Sequence, residues 1–596
     1  MKKQEKQQQQ EQNEEKVRIG SGLTSEQERL LSRRGFITGI AAAGAITALT
    51  SVAACAPSSG GGTGTGGGSG DGSALAGGGQ AATGAYDWLG TEPQIDVAEI
   101  GEMLETEVLV VGGGTAGLFA ACSAAENGGK VLVIDKYTSG GIRNDLGAVN
   151  SRYQQETGTV IDPHEIVREA YHYSAGRIVP DLHYLWTRES GAAIDWYGDR
   201  LAERGVTLWH EFTTEKEPVH YKHFATGHSP EWPRDEQGQE TLNGATVLTD
   251  YATGLGVEFR YNTPMVKLVK TDDRVSGVIA QAEGGGYVQI NASKGVIVCT
   301  GGYAENFEML KALQPEQYNL LGWASFIPGA TGDGIKACIW AGAAFDDVRS
   351  TCSFDRCAMP VGTAPTGPES GGTFFWLGEQ PFLKVNSKGE RFTNESGVYD
   401  FIAHAASKQP ERAYVTIWDA NYQDDIVRFD MHGCSRTFLN DNGAPPDIPL
   451  PVATGMVDGL IADGFTQTAD TIEELAEKLK LPADAFKKTI DRYNELYDAG
   501  KDEDYDKEPF RLSAVRQPPF YGTWTAAYIL STLDGIHIDT DMRALDEKGE
   551  PIDGLYVVGN DSGGYYAHTY FNLSTGHACG RSVTFGRRAG KIVATS

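Results

Sequence analysis

The chain has 596 residues and a formal net charge of −29. That excess of acid excludes nucleic acid and anionic membrane surfaces as partners. Seven of its eight cysteines follow Cys55; an odd number at irregular spacing excludes a disulfide framework. No C-x-x-C-H occurs, so no c-type haem is attached, and no metal-ligand cluster stands out.

Residues 1–55 read as an address rather than as fold. Ser32-Arg33-Arg34-Gly35-Phe36-Ile37 is similar to a twin-arginine export signal, and Phe36 to Ala54 is an Ala/Gly-rich apolar run without a charge. A short transmembrane anchor is the alternative, but the paired arginines and the weak hydrophobicity favour the signal. Val52-Ala53-Ala54-Cys55 resembles a lipoprotein box, which makes Cys55 the expected lipidated first residue of the mature chain. Both readings place the body outside the cytoplasm, on the outer face of the membrane or in the envelope. Residues 56–102 follow as a Gly/Ser-rich tether and lead-in. Their composition forms no core and gives a reach on the order of 30 Å.

Thr106 to Lys136, TEVLVVGGGTAGLFAACSAAENGGKVLVIDK, reads as strand, glycine turn, small-residue helix, second strand and acid. Gly112, Gly114 and Gly117 give G-x-G-x-x-G between strand and helix. Gly112 allows the tight turn, Gly114 lets backbone approach a pyrophosphate, and Gly117 brings helix and sheet together. Phosphates then lie at the positive helix end, and Asp135 ends the second strand where it can hold a ribose hydroxyl. A bound dinucleotide is expected.

Downstream, Asp181 to Arg204 reads as a helix, Val206 to Trp209 as a strand and Leu242 to Leu255 as a helix. Val257–Tyr261, Met265–Lys270, Val275–Ala282 and Tyr287–Ile290 read as a small meander. Lys294 to Tyr303, KGVIVCTGGY, is a strand running into Thr300-Gly301-Gly302. Pro328 to Gly334 reads PGATGDG, Gly554 to Asp561 reads GLYVVGND, and the last helix ends in FGRRAG. Taken in this order, the motifs resemble those of the FAD-dependent fumarate reductase flavoproteins and 3-ketosteroid dehydrogenases, over about Met103 to Ser596. The resemblance implies an α/β fold: a Rossmann-like FAD-binding domain (103–356 and 532–596) with an inserted α+β capping domain (357–531). It also implies FAD as cofactor. Gly112, Gly114, Thr115, Ala116 and Gly117 would cradle the pyrophosphate, and Asp135 and Lys136 would meet the adenosine end. Gly141 would cover the phosphates and flavin, with Thr300 and Gly301 on the adenine side. Asp333 matches the acid of the TGDG motif, and Asn560 and Asp561 fall at the ribityl chain. Ser574, Thr575 and Gly576 open the final helix, whose amides face the negative charge of the reduced flavin.

The charged residues that handle fumarate in this family have no counterpart. The frame Gly389-Glu-Arg391-Phe392-Thr-Asn394-Glu395 is kept, but Tyr399 stands where the family has its acidic arginine. The proton-feeding glutamate and arginine align with Phe375 and Gly378, the substrate-clamping arginine with Leu573, and the family histidine with Ser531. A dicarboxylate here would be buried without a counter-ion, at a cost of about several kcal/mol. Phe374, Phe375, Trp376, Tyr399, Tyr566, Tyr570 and Leu573 stand as the expected substrate wall, which suits a flat, largely apolar or phenolic molecule. Tyr570 matches the carbonyl-binding tyrosine of the ketosteroid enzymes, although the following Pro-Gly is missing. The expected enzyme reduces a C=C bond conjugated to a carbonyl or aromatic group, with Tyr399 first and Tyr570 second as general acid. Its electrons would come from a separate membrane-side carrier such as a quinol-linked cytochrome. The alternatives are a ketosteroid-type dehydrogenase, a small-acid reductase gripping its carboxylate through Arg143, Arg349 or His568, and a lipid-anchored solute-binding protein.

Overall fold

A computed structural model describes residues 87–596 apart from 237 and 325–328. The export signal, Cys55, most of the tether and Pro328 therefore lie outside the described residues. Among the described residues, no helix is long and apolar enough to cross a membrane.

The first sheet grows from the motif read above. β1 (Ile100–Val111) pairs in parallel with β2 (Val131–Ile134) on one side and β3 (Tyr287–Val298) on the other. Beyond β3 lies the parallel strand β4 (Pro551–Val557), so the chain's two ends share one sheet. Helix α1 (Thr115–Glu126) leaves β1 through the glycine turn, and its buried face runs from Ala116 to Ala124 almost without interruption. A helix apolar all round must be covered on both sides. The sheet covers one side of α1, and the final helix α2 (His577–Thr595) covers another.

Helix–helix contact here is made through glycines. A Cβ at Gly586 or Gly590 would overlap the carbonyl oxygens of Ala116 and Ala120, and one at Gly580 would overlap that of Gly147. At the turn itself, Gly112 has φ +109°, and a Cβ at Gly117 would overlap the Gly112 carbonyl.

The expected meander is corrected in part. The strand Glu258–Arg260 pairs in parallel with β2 and belongs to the main sheet. Tyr287–Ile290 and the KGVIV strand are one element, β3, which pairs in parallel with β1 along its length; on its other edge the first half pairs antiparallel with Arg274–Gln281 and the second half in parallel with β4. Asn291 to Lys294 carries no Gly or Pro to make a turn, so the strand runs through.

The second sheet is mostly antiparallel and centres on the long strand Phe520–Thr532. That strand pairs with Thr351–Ala358, Tyr414–Trp418 and Thr466–Ala469. The expected domain boundary at 356/357 thus falls inside a strand, because all eight residues of Thr351–Ala358 are buried in the capping sheet. Its core includes Phe375, Trp418, Phe382 and Phe429.

Arg391 is the polar hub of the capping part. Its guanidinium takes Glu395 through two bonds of 2.8 Å and Asp502 through bonds of 2.9 and 2.6 Å. It also lies 5.1 and 4.9 Å from the ring centroids of Tyr493 and Tyr505. Lys507 approaches Glu395 at 3.4 Å, completing a buried network of matched charges. Arg391→Met would leave buried carboxylates short of a counter-charge and should lower stability by about 3–5 kcal/mol. Urea unfolding of the two proteins at pH 7 measures this, and a loss below about 1 kcal/mol would refute the hub role.

Candidate active site

The dinucleotide cradle is built as the glycine pattern requires. The first intrahelical bond of α1 runs from Leu118 N–H to the Gly114 carbonyl at 3.0 Å, which leaves the amides of Thr115, Ala116 and Gly117 without helical partners. They meet the positive end of the helix dipole, the arrangement that holds phosphate. The loop carrying Gly141 crosses above, with Gly141 N–H on the Gly113 carbonyl at 3.2 Å. A Cβ at Gly141 or Gly301 would meet no atom within 4 Å, and one at Gly114 only the Gly141 oxygen at 3.9 Å. Open space thus surrounds this helix end, and the donors facing it fit the pyrophosphate of FAD.

Asp135 stands at the end of β2 and accepts Gly113 N–H at 2.6 Å on one oxygen and Tyr137 N–H at 2.8 Å on the other. The carboxylate is fixed by the turn yet keeps lone pairs for a ribose hydroxyl. Lys136 has a structural partner: its ammonium bridges Thr331 at 2.7 Å and Asp333 at 2.8 Å, bracing the TGDG turn. Asp561 departs from expectation. Fully buried, it receives the amide and hydroxyl of Thr300 and the Gly302 N–H at 2.8 Å. Its carboxylate therefore ties β4 to the turn after β3, because three donors converge on it. Asn560, beside it, is only partly buried.

The entrance to α2 is shared. Ser574 and Thr575 are held by Thr226, whose hydroxyl meets the Ser574 hydroxyl at 2.9 Å and donates to the Thr575 carbonyl at 2.7 Å. Gly576, at φ +67°, opens the helix. Tyr570 is placed against this end: its hydroxyl accepts the Ala578 N–H at 3.3 Å, and its ring lies 5.5 Å from that of Tyr566. The Tyr566 hydroxyl is buried and has no hydrogen-bond partner. Leu573 is buried beside them, its carbonyl accepting Phe224 N–H at 2.7 Å.

Tyr399 opens the short helix Tyr399–Ala406 and packs its ring 4.7 Å from Phe354. Its hydroxyl accepts a bond from the Ser435 hydroxyl at 2.9 Å. The next residue, Asp400, accepts Asn572 Nδ2 at 2.9 Å, which joins the Tyr399 helix to the segment of Tyr566 and Tyr570. The two candidate acids thus line neighbouring walls. Of the expected aromatic lining, Phe374 packs edge-on to Trp376 and Tyr528. Phe375 is corrected: 1 % exposed and stacked on Trp418, it belongs to the capping core.

Sequence reasoning missed the charged pair behind Tyr399. Arg356, from the buried strand Thr351–Ala358, grips Glu379 through two short bonds and donates to the Cys434 carbonyl at 3.0 Å. Its guanidinium lies 3.7 Å from the Trp376 ring centroid and 5.6 Å from that of Tyr399. Burial pushes Glu379 up to about 7 against the pull of Arg356, and Ser435 hydrogen-bonds it as well. Burial also drives the Tyr399 phenol well above its ordinary value, with the negative charge of Glu379 adding to it. A signal for this pair exists in the sequence: Asp355-Arg356 interrupts an otherwise uncharged strand, and Glu379 lies one residue beyond Gly378.

The three cations considered for an acidic substrate differ. Arg349 is tied to the Asp346 carbonyl and faces Asp534 at 3.5 Å. His568 is exposed. Arg143, on the loop of Gly141, has no ion pair among the described residues, and its positive charge acts on Cys352, Tyr528 and Cys579 around the Tyr566–Tyr570 wall.

Residues 107–575 match the model of an FAD-binding domain family, and the chain belongs to that family. It is an FAD-dependent oxidoreductase acting on CH–CH bonds. It is 28 % identical over 515 residues to a vinyl phenol reductase of Lactiplantibacillus plantarum, covering 82 % of this chain and 96 % of that one. Among solved structures it resembles the open conformation of a flavocytochrome c3 fumarate reductase, with TM-score 0.61, 25 % identity and coverage of 83 % and 79 %. It shares the fold of the 3-ketosteroid-Δ4-(5α)-dehydrogenase of Rhodococcus jostii RHA1, with TM-score 0.61, 22 % identity and coverage of 85 % and 100 %.

Gly114→Ala separates a cofactor role from a folding role, since a Cβ there has room within the protein and an ordinary φ of −79°. The FAD dissociation constant should rise at least about tenfold while the unfolding midpoint of the apoprotein stays within about 2 °C. Equal FAD affinity in the two proteins would remove Gly114 from the cradle.

Proposed function

We propose that this protein is an exported FAD-dependent reductase of a C=C bond conjugated to a carbonyl or aromatic group, in a largely neutral, aromatic or steroid-like substrate. The observation that carries the reading is the half-buried phenol of Tyr399, set among aromatic rings and backed by the Ser435–Glu379–Arg356 chain. FAD held at the Thr115–Gly117 amides would, when reduced, supply hydride chemistry at the β-carbon. Tyr399 supplies the proton to the α-carbon, so the double bond becomes CH–CH and the phenol is left as phenolate. Ser435 already donates toward that oxygen and returns a proton drawn from Glu379. Arg356 keeps the relay in place: its two bonds orient the Glu379 carboxylate, and its stacking on Trp376 orients the guanidinium. Tyr570, pinned at the start of α2, acts as a hydrogen-bond partner for a substrate carbonyl or phenol.

The electrons are supplied by a separate membrane-side donor, in keeping with the absence of a c-type haem motif. The paired arginines and Cys55 would deliver the enzyme to the outer face of the membrane. The Gly-rich tether would then let it reach a donor there.

Arg143 favours a second reading for the substrate. A cation without a partner near the Tyr566–Tyr570 wall would receive a carboxylate or phenolate, so that unsaturated aromatic acids enter the same site. Arg143→Gln should then raise KM for a cinnamate at least about tenfold and leave that for a neutral vinyl arene unchanged. Equal effects on both would exclude the acid reading.

Tyr399→Phe should leave FAD content intact and slow turnover with reduced viologen as donor at least about a hundredfold. Undiminished turnover would clear Tyr399. Glu379 is protonated below its raised pKa of about 7 and loses that proton as pH rises through it. The rate should therefore fall above about pH 7 in the parent, and Glu379→Gln should be slow and nearly flat from pH 6 to 8. An unchanged pH profile in Glu379→Gln would exclude the relay.

A further inference from the structure

Three segments far apart in sequence meet beside Thr575. Glu211 follows the strand Thr207–His210, His223 precedes the strand Gly227–Glu231, and His432 precedes the short turn Gly433–Ser435 of the capping part. One carboxylate oxygen and one ring nitrogen from each histidine all lie within 4.8 Å of one another. Glu211 and His223 are 11 % and 14 % exposed at the side chain, so the group is enclosed.

The bonding within this group is incomplete in a particular way. Oε1 of Glu211 meets His223 Nε2 at 2.8 Å and accepts the Gly433 N–H at 2.8 Å. Its Oε2 is buried beside the Thr575 side chain and accepts no hydrogen bond of ordinary geometry among the described residues. The His432 ring lies 5.1 Å from that of His223, and no hydrogen bond to its nitrogens occurs among the described residues. A buried carboxylate oxygen without a hydrogen bond beside a half-buried imidazole that also lacks one, their ligand atoms within 4.8 Å, favours a species that sits between them. Neighbouring positive charges are matched by acids: Arg436 faces Asp430 at 3.3 Å and Arg511 faces Glu508 at 3.3 Å. His432 also lines a cavity of about 250 Å³, which gives an ion a way in.

We propose that Glu211, His223 and His432 bind one divalent cation of the zinc class, which clasps the FAD-binding part to the capping part. Two imidazoles and one carboxylate suit a borderline ion, whereas calcium and magnesium demand oxygen alone. Three protein ligands leave a fourth position for water. Tetrahedral ligands around such an ion stand about 3.4 Å apart, so closing from 4.8 Å needs rotamer adjustment and no backbone movement. The ion replaces the Glu211–His223 hydrogen bond and draws in Oε2. Because Ser435 lies three residues after His432, the same ion steadies the segment that presents the Ser435 hydroxyl to Tyr399.

The test uses the FAD-loaded enzyme, stripped with a chelator and titrated with Zn²⁺ by calorimetry. One equivalent should bind with micromolar or tighter affinity and raise the unfolding midpoint. His432→Asn and His223→Asn should each weaken binding at least about thirtyfold and abolish the shift in midpoint, with the flavin absorbance unchanged. Cys434→Ser, which alters the neighbouring Asp145–Cys434–Asp447 group, should bind Zn²⁺ as the parent does. Absence of binding below 1 mM, an approximate bound set by the affinity scale, would overturn the proposal. So would equal affinity in the parent and both histidine variants, or loss of binding only in Cys434→Ser.

Discussion

The fold depends on backbone meeting backbone at the carboxyl end of β1. Gly117 seats α1 directly on the Gly112 carbonyl, and Gly586 and Gly590 seat α2 on α1. No side chain fits at these points, so the helices sit closer than any other residues permit, and the chain's last helix is locked to its first turn. Everything that faces the cofactor is hung from this contact. The free amides of Thr115 to Gly117, the loop of Gly141 and the Ser574–Gly576 entrance to α2 all lie within its reach. A Cβ at Gly580 would strike the Gly147 carbonyl, which ties the covering loop to α2 by the same means.

On the capping side the governing fact is a charge pair without a free charge. Taking Arg356 and Glu379 out of water is expensive, and bidentate bonding plus the Trp376 ring offsets much of that cost. With Glu379 ionised the pair adds a cation and an anion to the wall at zero net charge, and with Glu379 protonated it adds one positive charge. Breaking up the pair to bind an anion would expose Glu379 to that same anion, so Arg356 is not free to grip a second carboxylate, whereas Arg143 has no ion pair among the described residues.

The sequence made the cofactor half legible because that half is local. Strand, turn, helix and acid are contiguous from Thr106 to Asp135, so spacing alone carries the geometry. Asp561 misleads for the opposite reason: the residue stands at the expected place, but its direction is set by Thr300 and Gly302, which lie across the sheet. Phe375 and Trp376 are adjacent in sequence and both buried in the capping core, where Trp376 also receives the Arg356 guanidinium. The Arg356–Glu379 pair joins a strand to a turn 23 residues away. Only tertiary packing shows that these two meet beneath Tyr399. The Glu211, His223 and His432 ligand set spans more than one part of the fold, so no motif spacing betrays it.

The stretch from His432 to Arg436 deserves to be read as one device. Gly433 supplies the amide that fixes Glu211, Cys434 supplies the carbonyl that receives Arg356, and Ser435 supplies the hydroxyl that meets Tyr399. Each contact goes to a different element, and only a turn this tight lets consecutive residues reach all three. The Gly433–Glu211 bond crosses from the capping part to the FAD-binding part, whereas the Ser435–Tyr399 bond lies within the capping part.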